Sequence, residues 1–502
     1  MDKRTALDRL RNLDRDIVIL RDIIAALGFD EETALPERGF EERGEQLAML
    51  SLMLHEKRCD RELETLVEYL SGQELGETDR ALVKAHRRFF ETEACLPPRL
   101  VEKEARLLAE GHGAWVRARE ADDFRAFEPV LGEIVDFERE KALAIRPSWD
   151  PYDTLLDLYE EGQSAGRIAA VFDPLEERIH DLMDRCTDAG IDTSFLYCSY
   201  DRDRLHAFCL DVIGRMGFDF SRGMVSTSAH PFTSYLGHDD IRITTRYTDP
   251  SFFDAISTIV HECGHALYDM HASLNGDIRN TSIGCGTSMS LHESQSRFWE
   301  NMIMRSRPFW VCMYPRLQEA VPALAAVSLD DFWRAVNLSC PSAIRVNADE
   351  LTYPLHIIMR FRLERQLIRG ELPVGKLPEA WNRMSLETVR YAVKSDREGC
   401  LQDSHWAGGL FGYFPSYALG SIAAASFMKA LEREAGGRQA LEADLASGRW
   451  SVVTGFQDRM IWRYGAVYGF DETVERVTGK PLTVEDYTAY LADKYSTIYN
   501  LQ

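Results

Sequence analysis

Leu10, Leu13, Ile17, Leu20 and Ile24 recur three or four positions apart with charged residues between them, which predicts an amphipathic helix with one buried face. Pro36 interrupts the pattern, and Phe40 to Leu54 resumes it through Leu47, Leu50 and Leu54. The same period marks residues 76–94, 98–121, 124–145, 166–188 and 202–216, and most of the chain after 250. One stretch differs. From Val225 to Tyr247 the chain is rich in Ser, Thr and aromatic residues. After Gly237-His238-Asp239-Asp240, Ile241, Ile243 and Thr245 alternate with Arg242, Thr244 and Arg246. Period two predicts a strand with unlike faces, one arm of a hairpin. The expected class is mostly α with a small β-sheet. No Pro/Gly/Ser-rich linker or repeat divides the chain, so residues 1–502 read as a single unit.

That strand leads into the richest motif, Thr258-Ile259-Val260-His261-Glu262-Cys263-Gly264-His265. Two histidines four apart on a helix project from one face and can grip one ion. Glu262 sits beside that face, placed to exchange a proton without being a ligand. Ile256, Ile259, Val260, Ala266 and Leu267 make the helix apolar, and buried imidazoles and a carboxylate there would be costly without a metal to satisfy them. Zinc suits imidazole ligands and acidifies water to a pKa of about 7. A catalytic zinc takes three protein ligands and keeps one open position. Downstream, Leu291-His292-Glu293-Ser294-Gln295-Ser296-Arg297-Phe298-Trp299-Glu300 follows a loop containing Gly276, Gly284 and Gly286. Spacing alone admits Glu293 or Glu300 as the third ligand, with His292 as a rival on a different face.

Composition narrows the partners. Lys+Arg is 58 against Asp+Glu 81, a formal charge of -23, which repels phosphate backbones and anionic lipid. Neither nucleic acid nor a membrane is expected. The first ten residues lack the apolar stretch of a signal peptide, and no apolar run is long enough to span a bilayer. Ten cysteines, scattered from Cys59 to Cys400 without a Cys-x-x-Cys pair, read as reduced thiols. The expected location is cytoplasmic.

Six blocks then stand in a recognisable order: His230-Pro231-Phe232, Asp240-Ile241-Arg242-Ile243-Thr244, the His261–His265 motif, His292-Glu293-Ser294-Gln295, Ile344-Arg345-Val346-Asn347-Ala348-Asp349, and Gly399-Cys400-Leu401-Gln402-Asp403-Ser404-His405-Trp406. With them the chain resembles, nearly end to end, the thermostable carboxypeptidase Taq family of zinc metallocarboxypeptidases. It departs in the first hundred residues, where Gly28-Phe29-Asp30-Glu31-Glu32-Thr33 replaces a tryptophan-bearing version. The resemblance implies a two-lobed helical subunit of the gluzincin type with a deep groove, usually a homodimer. It implies removal of single residues from the free C-termini of peptides, with His261, His265 and Glu293 as metal ligands.

Roles follow for other residues. Glu262 is the expected general base. His405 and Tyr413 are the expected donors to the oxyanion, since Gly412-Tyr413-Phe414-Pro415-Ser416-Tyr417 is similar to a tyrosine-bearing segment of the angiotensin-converting group of helical zinc peptidases. Arg345 is the first choice for the substrate carboxylate and Arg242 the second, because a guanidinium fork matches a carboxylate. His230 and Gln402 are further substrate candidates. Strand 240–246 is expected to offer an edge to an extended peptide. Cobalt or manganese can replace zinc in such N/O sites. An oligopeptidase with the same chemistry is the rival reading; a silent peptide-binding scaffold is disfavoured by the intact Glu262.

Overall fold

The first helix runs Lys3–Thr33, its start capped by Asp2, whose carboxylate accepts from the Thr5 amide at 3.0 Å. Its buried positions include Leu10, Leu13 and Ile17, the stripe the sequence predicts. These meet Leu63, Leu66, Val67 and Leu70 of helix Arg61–Ser71 and Leu82 and Val83 of helix Glu77–Phe89. Ile278 and Ile283, from the loop after the motif helix, join the same cluster and so tie that loop to the N-terminal helices. This computed structural model describes residues 1–186, 190–248, 250–272 and 274–501, and among them are 20 α-helices. The predicted helix 166–188 is observed as Ala165–Arg185, and residues 187 and 188 lie outside the described residues.

Two compact units are built from interleaved segments. Met1–Phe90, Gly190–Val336 and Ala423–Leu482 form the first; Glu91–Ala189, Asn337–Ile422 and Thr483–Gln502 form the second. Because each unit draws on three separated segments, no linker of distinct composition marks a boundary.

The first unit holds the one sheet among the described residues. Its strands are β1 (Gly223–Thr227), β2 (Thr233–Tyr235) and β3 (Ile241–Thr245), in the order β1-β3-β2. β2 pairs antiparallel with β3, with Thr233 opposite Ile243, so the expected hairpin arm is present. β1 pairs parallel on the other side, with Val225 opposite Ile243. The expectation that 240–246 offers an edge is therefore corrected. β3 is the central strand, and both of its hydrogen-bonding sides are already paired.

In the second unit, helix Tyr353–Arg369 is buried along most of its length through Leu355, Ile357, Ile358, Phe361, Leu363 and Leu367. It also carries His356, Arg360 and Glu364, four apart and all buried. This helix organises the second cluster of functional candidates.

Candidate metal centre and its surroundings

Helix Phe252–Ala272 buries Ile256, Ile259, Val260, Ala266 and Leu267 and turns His261 and His265 to one side. Their ring centroids are 5.0 Å apart. Gly264, between them, makes the next step possible. A Cβ there would lie 2.6 Å from the Cα of Ser296, so helix Met289–Arg297 approaches at backbone distance. That approach brings Glu293 to the histidines. One Glu293 carboxylate oxygen, Oε2, lies 3.6 Å from His261 Nε2 and 3.5 Å from His265 Nε2. The three residues form a group of potential ligands whose donor atoms all lie within 4.8 Å of one another.

The surroundings prepare those atoms. His261 Nδ1 is 2.9 Å from Glu300 Oε2, and a proton donated there leaves Nε2 with a free lone pair. His265 Nδ1 is 2.8 Å from His292 Nδ1, and His292 Nε2 is 3.4 Å from Asp269 Oδ1. Asp269 Oδ1 also accepts from the Gly286 amide at 2.8 Å. Arg297 donates to Glu293 Oε1 at 2.6 Å and to Glu300 Oε2 at 3.1 Å. Ser257 donates to Glu300 Oε1 at 2.8 Å. Burial alone would raise the Glu293 and Glu300 carboxyls, but Arg297, with His261, outweighs it and holds both well below the usual range. Of the three carboxyl or imidazole groups that spacing left open, Glu293 reaches the Nε2 atoms. Glu300 and His292 stand behind the rings at Nδ1.

The donor set fits a divalent ion. Two imidazole nitrogens and one carboxylate oxygen suit zinc and its neighbours. Bonds of about 2.1 Å in a tetrahedron put ligand atoms about 3.4 Å apart, close to the observed separations. Glu262, 8% exposed, is not among these potential ligands, and its Oε2 accepts from the Thr233 hydroxyl at 2.6 Å.

The remaining first-unit candidates lie on the sheet. Arg242 forks onto Asp240 through Nε and Nη2, both at 2.7 Å, and its guanidinium covers the Phe29 ring at 5.1 Å. That fork is thus occupied by a neighbour two residues away. Phe29, from the segment that departs from the family pattern, also packs edge-on against Phe232 at 5.6 Å. His230 is exposed, and its carbonyl accepts from Ser228 Oγ at 2.7 Å.

The second unit gathers Arg345, Gln402, His405 and Tyr413. Arg345 is 6% exposed. Its Nε and Nη2 meet Asp403 Oδ1 at 3.0 and 2.9 Å, and its Nη1 donates to the Tyr353 hydroxyl at 3.2 Å. The Nε–Nη2 side of the expected fork is therefore taken by Asp403. Arg360, fully buried, holds the other oxygen of Asp403 at 2.7 Å. Two guanidinium groups thus share one carboxylate, leaving an excess positive charge. Burial would raise the Asp403 carboxyl, but Arg360 and Arg345 hold it far below its ordinary value. Burial, reinforced by the two arginines, pushes His405 down to about 4, so it is neutral at pH 7. The His405 ring lies 4.5 Å from Phe414 and 5.6 Å from Tyr413. Gln402 is turned to the backbone: it accepts from the Arg345 amide at 2.9 Å and donates to the carbonyls of Ala343 and Glu398. These bonds hold the Arg345 segment in place.

Sequence reasoning missed His356, Arg360 and Glu364. Their four-residue spacing in an apolar helix was the available signal, the same one that exposed His261 and His265. Glu364 accepts from Trp406 Nε1 at 2.8 Å, the Gly412 amide at 3.0 Å and the Tyr152 hydroxyl at 2.9 Å. It thereby anchors the neighbours of both His405 and Tyr413.

Known proteins resemble the chain along nearly its whole length. The family model described as carboxypeptidase Taq (M32) metallopeptidase matches residues 9–495. Thermostable carboxypeptidase 1 of Thermus thermophilus is 37% identical, covering 99% of this chain and 100% of that protein. Carboxypeptidase 1 of Bacillus subtilis is 34% identical over 95% of each. The crystal structure of the M32 carboxypeptidase from Deinococcus radiodurans superposes with a TM-score of 0.95 at 34% identity, covering 99% of this chain and 100% of that one. The chain belongs to the carboxypeptidase Taq family and is a metallocarboxypeptidase, a peptide hydrolase that uses a divalent metal.

Proposed function

We propose that the metal is zinc, held by His261, His265 and Glu293, and that Glu262 is the general base. The observation that carries this reading is the convergence of two Nε2 atoms and one carboxylate oxygen, each braced from behind by a second group. Bound there, zinc supplies a Lewis acid and hydroxide at neutral pH, and cobalt or manganese can substitute. Glu262 takes up a proton on its carboxylate and passes it to the amine that leaves. His405 and Tyr413 donate to the developing oxyanion; a neutral His405 does so through an N–H. Arg345 takes the terminal carboxylate of the substrate, a role supported by the positive excess of its cluster with Asp403 and Arg360. Arg242 is the second candidate for that contact and His230 a further one. The whole of residues 1–502 acts as one carboxypeptidase unit.

We assign the enzyme to the cytoplasm, a reading supported by ten cysteines scattered along the chain without a Cys-x-x-Cys pair, and its partners are peptides with a free C-terminus. A homodimer is carried over from the resemblance, and light scattering that gives the mass of one chain would overturn it. Among the described residues no helix is long and apolar enough to cross a membrane.

The test is metal analysis with reconstitution. About one zinc per chain is expected; chelation should abolish peptide hydrolysis and zinc or cobalt should restore it. Full activity of metal-free protein would overturn the assignment.

A further inference from the structure

Thr233 opens β2, directly after His230-Pro231-Phe232. Its register partner is Ile243, fully buried in β3, so Thr233 and Ile243 share the face of the sheet opposite to Arg242. Thr245 lies on this face too, and its hydroxyl reaches the Ala255 carbonyl of helix Phe252–Ala272 at 3.4 Å. Directed at the same helix, the Thr233 hydroxyl lies 2.6 Å from Glu262 Oε2 and 2.9 Å from the Glu262 carbonyl. It has one proton to give. The shorter contact, within the range of charge-assisted O–H···O⁻ bonds, goes to the carboxylate.

We infer that Thr233 is the positioning residue for Glu262, and that the His230-Pro231-Phe232 block serves catalysis by placing it. This rests on the reading of Glu262 as the base. A carboxylate on a flexible side chain samples several rotamers; one short hydrogen bond to Oε2 selects one and leaves Oε1 as the oxygen that takes the proton. The block supplies the rigidity. The Phe232 amide donates to Thr244 Oγ1 at 2.9 Å, and the Thr244 amide donates to the Phe232 carbonyl at 2.9 Å. The Phe232 ring is pinned against Phe29. Thr233 therefore starts its strand from a point already held on two sides.

The experiment is a cycle of Thr233→Val, Thr233→Ser and Glu262→Gln. Thr233→Val keeps the shape and removes the hydroxyl. It should lower kcat on the order of 10- to 100-fold, change KM less than about twofold, and retain full metal content. Thr233→Ser should return kcat to within about threefold. In a Glu262→Gln background, Thr233→Val should cost less than about twofold more, because both changes disable one group. In metal-free protein the unfolding midpoints of the two single variants should be non-additive in the double variant, a readout independent of turnover. Wild-type kcat in Thr233→Val beside an inactive Glu262→Gln overturns this inference alone. An active Glu262→Gln overturns the base assignment, and this inference with it. A full further loss in the double variant, or loss of metal from Thr233→Val, also overturns it.

Discussion

His265 and His292 face each other through their Nδ1 atoms, 2.8 Å apart, so one ring must donate and the other accept. Asp269 decides which. Its carboxylate oxygen Oδ1 lies 3.4 Å from His292 Nε2, so the single proton of a neutral His292 is directed there. With Nε2 protonated, a neutral His292 accepts at Nδ1. His265 then carries its proton at Nδ1, and its Nε2 lone pair is left for the ion.

His292→Phe, which keeps a ring against Tyr268, should therefore lower metal affinity by roughly 10- to 100-fold without removing a ligand. Competition with a chelator of known affinity measures it. Unchanged affinity would remove His292 from this relay.

The two glutamates of the site should fail in different ways. Glu262→Gln should keep metal content near wild type while turnover falls by a factor of at least about 100. Glu293→Ala should lose the metal, since it removes the oxygen near both Nε2 atoms. Metal analysis beside steady-state kinetics separates the two. Swapped phenotypes would reverse the roles.

Arg345→Ala should cut kcat/KM at least roughly tenfold on free peptides, because a charge-assisted pair typically contributes about 1.5–3 kcal/mol. Amidating the peptide C-terminus should cost the wild type a similar factor and the variant little more. Arg345→Lys should recover only part, since an ammonium cannot meet both Asp403 and a second carboxylate in one plane. If Arg345→Ala still discriminates fully against amides, Arg242 becomes the leading candidate.

Glu364 predicts a slope of stability with pH. Burial pushes its carboxyl up to about 7 from 4.5, against the three hydrogen bonds it accepts. A group raised in the folded state contributes stability that is full below about pH 4.5 and lost as pH rises through 7, amounting to roughly 3 kcal/mol. Between pH 5 and 8 the unfolding midpoint of Glu364→Gln should therefore fall less than that of the wild type. Glu138, also pushed up to about 7 by burial, titrates over the same window, so the slope shrinks without vanishing. Identical slopes in the two proteins would refute the shift.

The sequence made the helices and the histidine pair legible because both announce themselves through local spacing. Leu10, Leu13 and Ile17 mark a buried stripe by period alone, and His261 and His265 share a face by the same arithmetic. Glu293 and Glu300 could not be separated this way, since seven residues bring a helix back to the same side. Their distinction lies in a backbone approach at Gly264 that no spacing reveals. The alternation of Ile241 to Arg246 revealed a strand but not its neighbours, because β2 has only three residues and β1, as long as β3, places Met224 and Val225 side by side without alternation. Asp403 is invisible as the partner of Arg345 and Arg360, being 58 and 43 residues away along the chain. Thr233 offers no signal at all: a single hydroxyl on a strand looks like any other.

The strand order β1-β3-β2 bears on how the site comes into being. The middle strand is the last of the three in the chain, so neither flanking strand has a ladder to join until β3 has been made and collapsed onto the helix that follows it. The parallel pairing with β1 adds a loop that must close before its hydrogen bonds repay the lost entropy. Backbone amides of β1, β2 and β3 should then open as one cooperative unit, and with that opening Glu262 loses its hold. In this sense the hydrogen bond that Thr233 gives Glu262 belongs to the assembled sheet and not to β2 alone.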